Sequence, residues 1–174
     1  QLSDSSFLSI GSVTASDTYF WGGTDVPCNY EVQTPTSSWI DKNGNLLSSS
    51  IWFNYNDIQG SICNYLQTTT NSIIDMGNNH FIIAGYTHNP NNTYERMNFI
   101  AAIQGTDLSN IVWKDKSVPG GAYQLIRAND GTYLTIGYKS AIQSQGFQGS
   151  RITKYSANGL VLWTKILSDT LKLS

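Results

Sequence analysis

Charge is scarce in this chain of 174 residues: Asp, Glu, Lys and Arg together supply 13% of it, about half the share usual in a soluble domain. The formal net charge of −2 leaves no basic stripe of the kind that neutralises phosphates, so no nucleic-acid partner is expected. Long apolar runs are missing too; none approaches the roughly 18 residues that cross a bilayer as a helix, and no membrane span is expected. Histidine and cysteine occur only twice each. His80 falls in an expected hairpin turn and His88 just after an expected strand, and neither stands in a metal-ligand or nucleophile–base pattern. The 12 acids are scattered, with no evident pair of the kind that glycoside hydrolysis holds about 5–9.5 Å apart. No metal, cofactor or enzymatic activity is expected.

In place of charge stand 21 Ser, 16 Thr and 16 Asn. A polar but weakly charged surface of this kind suggests an extracellular or cell-surface protein. Gln1 is compatible with a cleavage site or with the start of an excerpt. Cys28 and Cys63 lie in polar, turn-rich stretches and read either as one disulfide or as two unpaired thiols. Asn91-Asn92-Thr93 matches a glycosylation acceptor at Asn91. The 40% apolar and 12% aromatic content is ample for a packed core.

The chain repeats itself. Phe7-Leu8-Ser9-Ile10-Gly11, Phe81-Ile82-Ile83-Ala84-Gly85 and Tyr133-Leu134-Thr135-Ile136-Gly137 each open on an aromatic and reach glycine at the fifth position. Each follows a polar turn: Asp4-Ser5-Ser6, Asn78-Asn79-His80 and Asn129-Asp130-Gly131-Thr132. A second hairpin recurs after each. Trp39-Ile40-Asp41-Lys42 turns at Asn43-Gly44, the run from Phe99 to Ile103 turns near Gly105, and the run from Ile152 to Tyr155 turns at Asn158-Gly159. No segment sustains a 3.6-residue apolar period. The fold class predicted is all-β, with four short antiparallel strands per unit.

Four strands in about 40–50 residues is the pattern of a propeller blade. Three blades are expected, at about 1–54, 71–117 and 121–167, with 168–174 starting the next. Two insertions, near 15–37 and 55–70, are expected as loops off the blade edge. The first unit has only Gln1, Leu2 and Ser3 before its turn, half a strand. Leu171, Lys172, Leu173 and Ser174 would supply the other half, and joined through that seam the tails align with the other copies without a gap. Three blades do not close a ring, since propellers have about 4–8. The split strand is therefore expected to be completed by neighbouring blades of a longer chain, by a second copy in a closed ring, or along an open filament.

These residues resemble the tandem propeller repeats of secreted and cell-surface bacterial proteins, whose blades read Trp-x-Lys, then Asp-Gly-Gly-Tyr, then Gly-Tyr-Thr. The third unit fits best, with Asp130-Gly131-Thr132-Tyr133, Gly137-Tyr138, Lys154, Gly159 and Trp163-Thr164-Lys165. The second keeps Gly85-Tyr86-Thr87 and Trp113-Lys114; the first keeps Gly11 and Asn43-Gly44, with Ser48 where the tryptophan would fall. The resemblance implies a propeller on an exported protein and little about chemistry.

Other patterns fit structural roles. Asp41-Lys42-Asn43-Gly44-Asn45 has the start of a calcium loop, but its glycine is misplaced and no downstream Glu follows, so it reads as a hairpin turn. Ser156 to Trp163 resembles the Asp-box hairpin of sialidase-like propellers, itself a structural element. Aromatic residues in or beside the insertions, Trp21, Tyr30, Tyr55 and Tyr65, are candidate contacts for a glycan or a protein partner. A Cys28–Cys63 bridge would staple the two insertions together. The expected function is a structural or adhesive assembly unit that pairs with itself or with neighbouring blades by strand completion; the alternative is a carbohydrate-binding propeller.

Overall fold

The computed structural model describes residues 7–20, 27–51, 66–89, 92–105, 110–139 and 149–167. Eleven strands occupy them: β1 (Phe7–Phe20), β2 (Pro27–Ile40), β3 (Leu46–Ile51), β4 (Leu66–Asp75), β5 (His80–Asn89), β6 (Asn92–Gln104), β7 (Ile111–Asp115), β8 (Gly120–Arg127), β9 (Tyr133–Lys139), β10 (Ser150–Tyr155) and β11 (Val161–Leu167). They form three antiparallel sheets of three, four and four strands: β1–β3, β4–β7 and β8–β11. A short parallel pairing of Val32 with Leu66 and Gln33 with Gln67 links the first sheet to the second. The described residues contain no helix, and none long and apolar enough to cross a membrane.

The sheets stack face to face, and strand alternation decides which side chains meet. On one face of the second sheet, Phe81, Ile83, Phe99, Ala101 and Ile103 are buried, and Leu8 and Ile10 of the first sheet pack on them. On the other face, Ile82, Ala84, Ile100 and Ala102 are buried against Ala122, Leu125, Tyr133 and Tyr155 of the third sheet. Covered on both sides, β5 and β6 are nearly continuous apolar runs, whereas β9 and β10, covered on one side, alternate. Each fully buried Phe or Ile contributes roughly 1.5–3 kcal/mol, so the middle sheet anchors the stack.

The two four-stranded sheets repeat in register as well as in sequence. Phe81 pairs with Ile103 as Tyr133 pairs with Tyr155, and Ala102 with Trp113 as Lys154 with Trp163. Both first strands bulge at the same step, between Thr70 and Ser72 and between Ala122 and Gln124. Opposite each bulge stands the fifth-position glycine. A Cβ on Gly85 would overlap the Thr69 carbonyl oxygen, and one on Gly137 the Gly121 carbonyl oxygen. Close backbone approach explains this glycine, since neither position has a positive φ.

Several expectations need correction. Within the stretch 15–37, residues 15–20 and 27–37 are strand rather than loop: β1 and β2 pair without a break from Phe7 with Ile40 to Phe20 with Pro27. Its many Ser and Thr residues hide the strand because backbone pairing needs no apolar face. The end of the second insertion is strand too, since β4 begins at Leu66 rather than at 71. His88 lies inside β5, not after it.

Candidate assembly interface

One turn recurs three times. In Asp41–Asn45, Ala128–Thr132 and Ser156–Leu160 the first residue's N–H donates to the last residue's carbonyl, and the glycine N–H at the fourth position donates to the first residue's carbonyl, all at 2.8–3.1 Å. The glycines need their positive φ, +88° at Gly44, +78° at Gly131 and +83° at Gly159. Polar side chains close these turns. Asp41 Oδ1 accepts from the Asn43 and Asn45 N–H groups at 2.8 Å, Asp130 Oδ1 from Thr132 N–H at 3.1 Å, and Ser156 Oγ from Leu160 N–H at 3.0 Å. Asp75 and Asp115 do the same for Gly77 and Ser117. The Asn45 side chain and these amides hold the Asp41 carboxyl below its ordinary range. The 41–45 segment is therefore a turn, with its carboxylate occupied by the turn itself.

The turn glycine of the third sheet has a second role. The Trp113 ring, on β7 of the second sheet, lies over Gly159, where a Cβ would overlap it. It also packs beside Tyr133, with ring centroids 6.3 Å apart at 41°. A tryptophan on the fourth strand of one sheet is thus seated on an aromatic and a turn glycine of the next.

The same parts at the two ends of the stack are unused among the described residues. Trp163, the register equivalent of Trp113, is 45% exposed. Around it β11 is exposed along its whole length, although Leu162, Ile166 and Leu167 are large and apolar. At the other end, Phe7, the equivalent of Tyr133, is 46% exposed against 3% for Tyr133. Gly44, the equivalent of Gly159, has nothing within 4 Å of its Cβ position.

Polar groups, some of them buried, tie the second and third sheets together. The Asn98 amide, 1% exposed, donates to Thr135 Oγ1 at 3.2 Å and to the Tyr155 hydroxyl. Burial pushes the Tyr155 hydroxyl pKa well up, so it stays protonated. Asn71 Nδ2 donates to the Ala122 carbonyl at 2.7 Å, and Leu125 N–H to Ser72 Oγ at 3.1 Å. These bonds fix the offset between sheets that apolar packing alone leaves loose.

Of the residues singled out from sequence, Gln1, Leu2, Ser3, Trp21, Tyr55, Cys63, Tyr65, Asn91, Leu171, Lys172, Leu173 and Ser174 lie outside the described residues. Cys28 and Tyr30 sit on β2, opposite Tyr19 and Asp17 on β1, in a strand rather than a loop. His80 is half-buried and opens β5.

Sequence reading missed a cluster at the far end of the second and third sheets. The Arg96 guanidinium lies 4.4 Å from the Tyr86 ring centroid, and its Nη1 is 3.4 Å from the Tyr138 hydroxyl. The ring of Tyr123, 53% exposed, stands 5.2 Å from that of Tyr138. Burial, opposed by Arg96, raises the Tyr138 pKa. The signal was the repeated Gly-Tyr at 85–86 and 137–138, which brings two tyrosines to one end of adjacent sheets. No known protein family matches the chain, and no characterised protein is significantly similar to it.

Proposed function

We propose that this chain is a non-enzymatic, extracellular structural or adhesive assembly unit: a three-bladed β-propeller segment continued into a larger propeller or filament by strand completion across its ends. The observation that carries this reading is the open side of β1. Its register equivalents β5 and β9 are each flanked by a preceding strand, β4 and β8. Among the described residues, β1 pairs only with β2. Leu171–Ser174 of one unit, continued by Gln1–Ser3 of the next, would fill that position, and its backbone pairing would set register and direction.

A structural role also accords with the acids. Asp41, Asp75, Asp115 and Asp130 all spend their carboxylates on backbone N–H groups of their own turns. The export expected from composition fits a unit that works at a surface. Sedimentation tests the reading: the intact chain should run larger than its 19.2 kDa, and removal of residues 171–174 should return it to a monomer. An intact chain that stays monomeric at every concentration overturns it.

The exposed Tyr123 beside Tyr138 and Arg96 favours one second reading, a carbohydrate-binding propeller, since exposed aromatic faces stack on sugar rings. Glycan-array binding that Tyr123→Ala abolishes would support it; silence of the intact chain would end it.

A further inference from the structure

We infer that the outward face of the third sheet docks on the outward face of the first sheet in a second copy of this chain, with Trp163 seated over that copy's Phe7 and Gly44. The inference rests on the assembly reading and adds a second, face-to-face contact to the strand-mediated one.

Within the chain, the face of one sheet that carries Leu8 and Ile10, or Ile82 and Ala84, always meets the opposite face of the following sheet. Stacking therefore has one polarity, and it leaves two unlike faces at its ends. The register puts Ile126, Leu134, Ile136, Ile152 and Trp163 on one face of the third sheet, with Lys154 and Lys165 among them. That face corresponds to the one on which Ile74, Ile82, Ile100 and Trp113 meet the third sheet from the second.

The first sheet's outward face has the matching pattern. The third sheet meets its neighbour with Tyr133 and Tyr155 beside the turn and the hydroxyls of Thr135 and Thr153 in mid-sheet. The first sheet presents Phe7 and Ile40 beside the turn, and Ser9 and Ser38 in mid-sheet. A knob without a seat and a seat without a knob lie on the same molecule, which makes the contact heterologous and head-to-tail. That self-complementarity identifies the occupant as a second copy.

Trp163→Glu removes the knob and Phe7→Glu the seat. Both positions are half exposed, and an unchanged thermal midpoint identifies variants that fold. Each variant alone should lose about tenfold or more in self-affinity by sedimentation equilibrium. An equimolar mixture should regain association as a 1:1 complex, because the Phe7 variant keeps its knob and the Trp163 variant its seat. Two folded variants that self-associate like the wild type overturn the face contact. If removal of residues 171–174 abolishes association in the same assay, strand completion stands without it. A wild-type chain that is monomeric throughout overturns both.

Discussion

Trp39 on β2 stands directly opposite Ser48 on β3, the reverse of the other sheets. There Ala102 and Lys154 occupy the third-strand position, and Trp113 and Trp163 the fourth. In the first sheet the large ring stands one strand further in, and a small residue occupies the fourth-strand position. Cross-strand neighbours share one face, so the exchange keeps volume on the side that meets the second sheet.

This exchange can be tested by reversing it. Trp39→Ala should cost about 1–2 kcal/mol, less than a fully buried tryptophan because the ring is only half-buried. Adding Ser48→Trp should restore part of the loss in denaturant unfolding. A double variant no more stable than Trp39→Ala would show that the two positions are not interchangeable.

The motif glycines should differ in their tolerance of a methyl group. Gly85→Ala and Gly137→Ala drive a Cβ into a neighbouring carbonyl and should each cost about 2–3 kcal/mol. At Gly11 the nearest described atom is Thr36 Oγ1 at 3.6 Å. Gly11→Ala should therefore leave unfolding of the single chain within about 0.5 kcal/mol of wild type. If a completing strand lies beside β1 as β4 lies beside β5, the same substitution should weaken assembly, read by sedimentation.

Acid should remove one stabilising contribution. Lys154 Nζ lies 2.8 Å from Asp130 Oδ2. That bond first, then the Thr132 hydroxyl and N–H, hold the Asp130 carboxyl well below its ordinary 3.8. A lowered folded-state pKa stabilises the fold above the unfolded value, and the contribution fades as pH falls through the folded value. The stability gap between wild type and Asp130→Asn should be constant above about pH 5 and shrink below about pH 4. A gap unchanged at the lowest accessible pH would assign the effect to something other than this carboxylate.

The buried link between sheets should behave as a coupled unit. Tyr155→Phe leaves the Asn98 amide bonded to Thr135 and should cost about 1 kcal/mol. Asn98→Ala takes a donor from two buried hydroxyls, which keep only their bond to each other, and should cost about 2 kcal/mol. In a double-mutant cycle the pair should show about 1 kcal/mol of coupling; additive losses would mean the bond contributes nothing to holding the sheets together.

Much of this was legible from spacing. Aromatic openings, fifth-position glycines and Asn/Asp-Gly turns placed β5, the second half of β6 and β7 to β11 closely, because the turn residues have a local conformational reason to be there and the aromatics and glycines recur at fixed offsets from them. The long β1–β2 hairpin was not legible. From Thr14 to Thr18 no apolar alternation marks a buried face, and its strand character comes from pairing along two backbones. The Arg96–Tyr86–Tyr138–Tyr123 cluster escaped because its members come from four strands in two sheets. Nothing within any one strand announces that meeting.

The bulges opposite Gly85 and Gly137 have a consequence for how such a gene can change. These glycines lie 52 residues apart, and each sheet has the same pairing, the same interruption and the same polarity of packing. Unequal recombination between the two coding stretches would delete or duplicate one whole sheet in frame, and the flanking sheets would still meet a surface of the kind they already fit. The molecule is thus suited to evolve in length by steps of an entire layer, with no intermediate that has to fold around half of one.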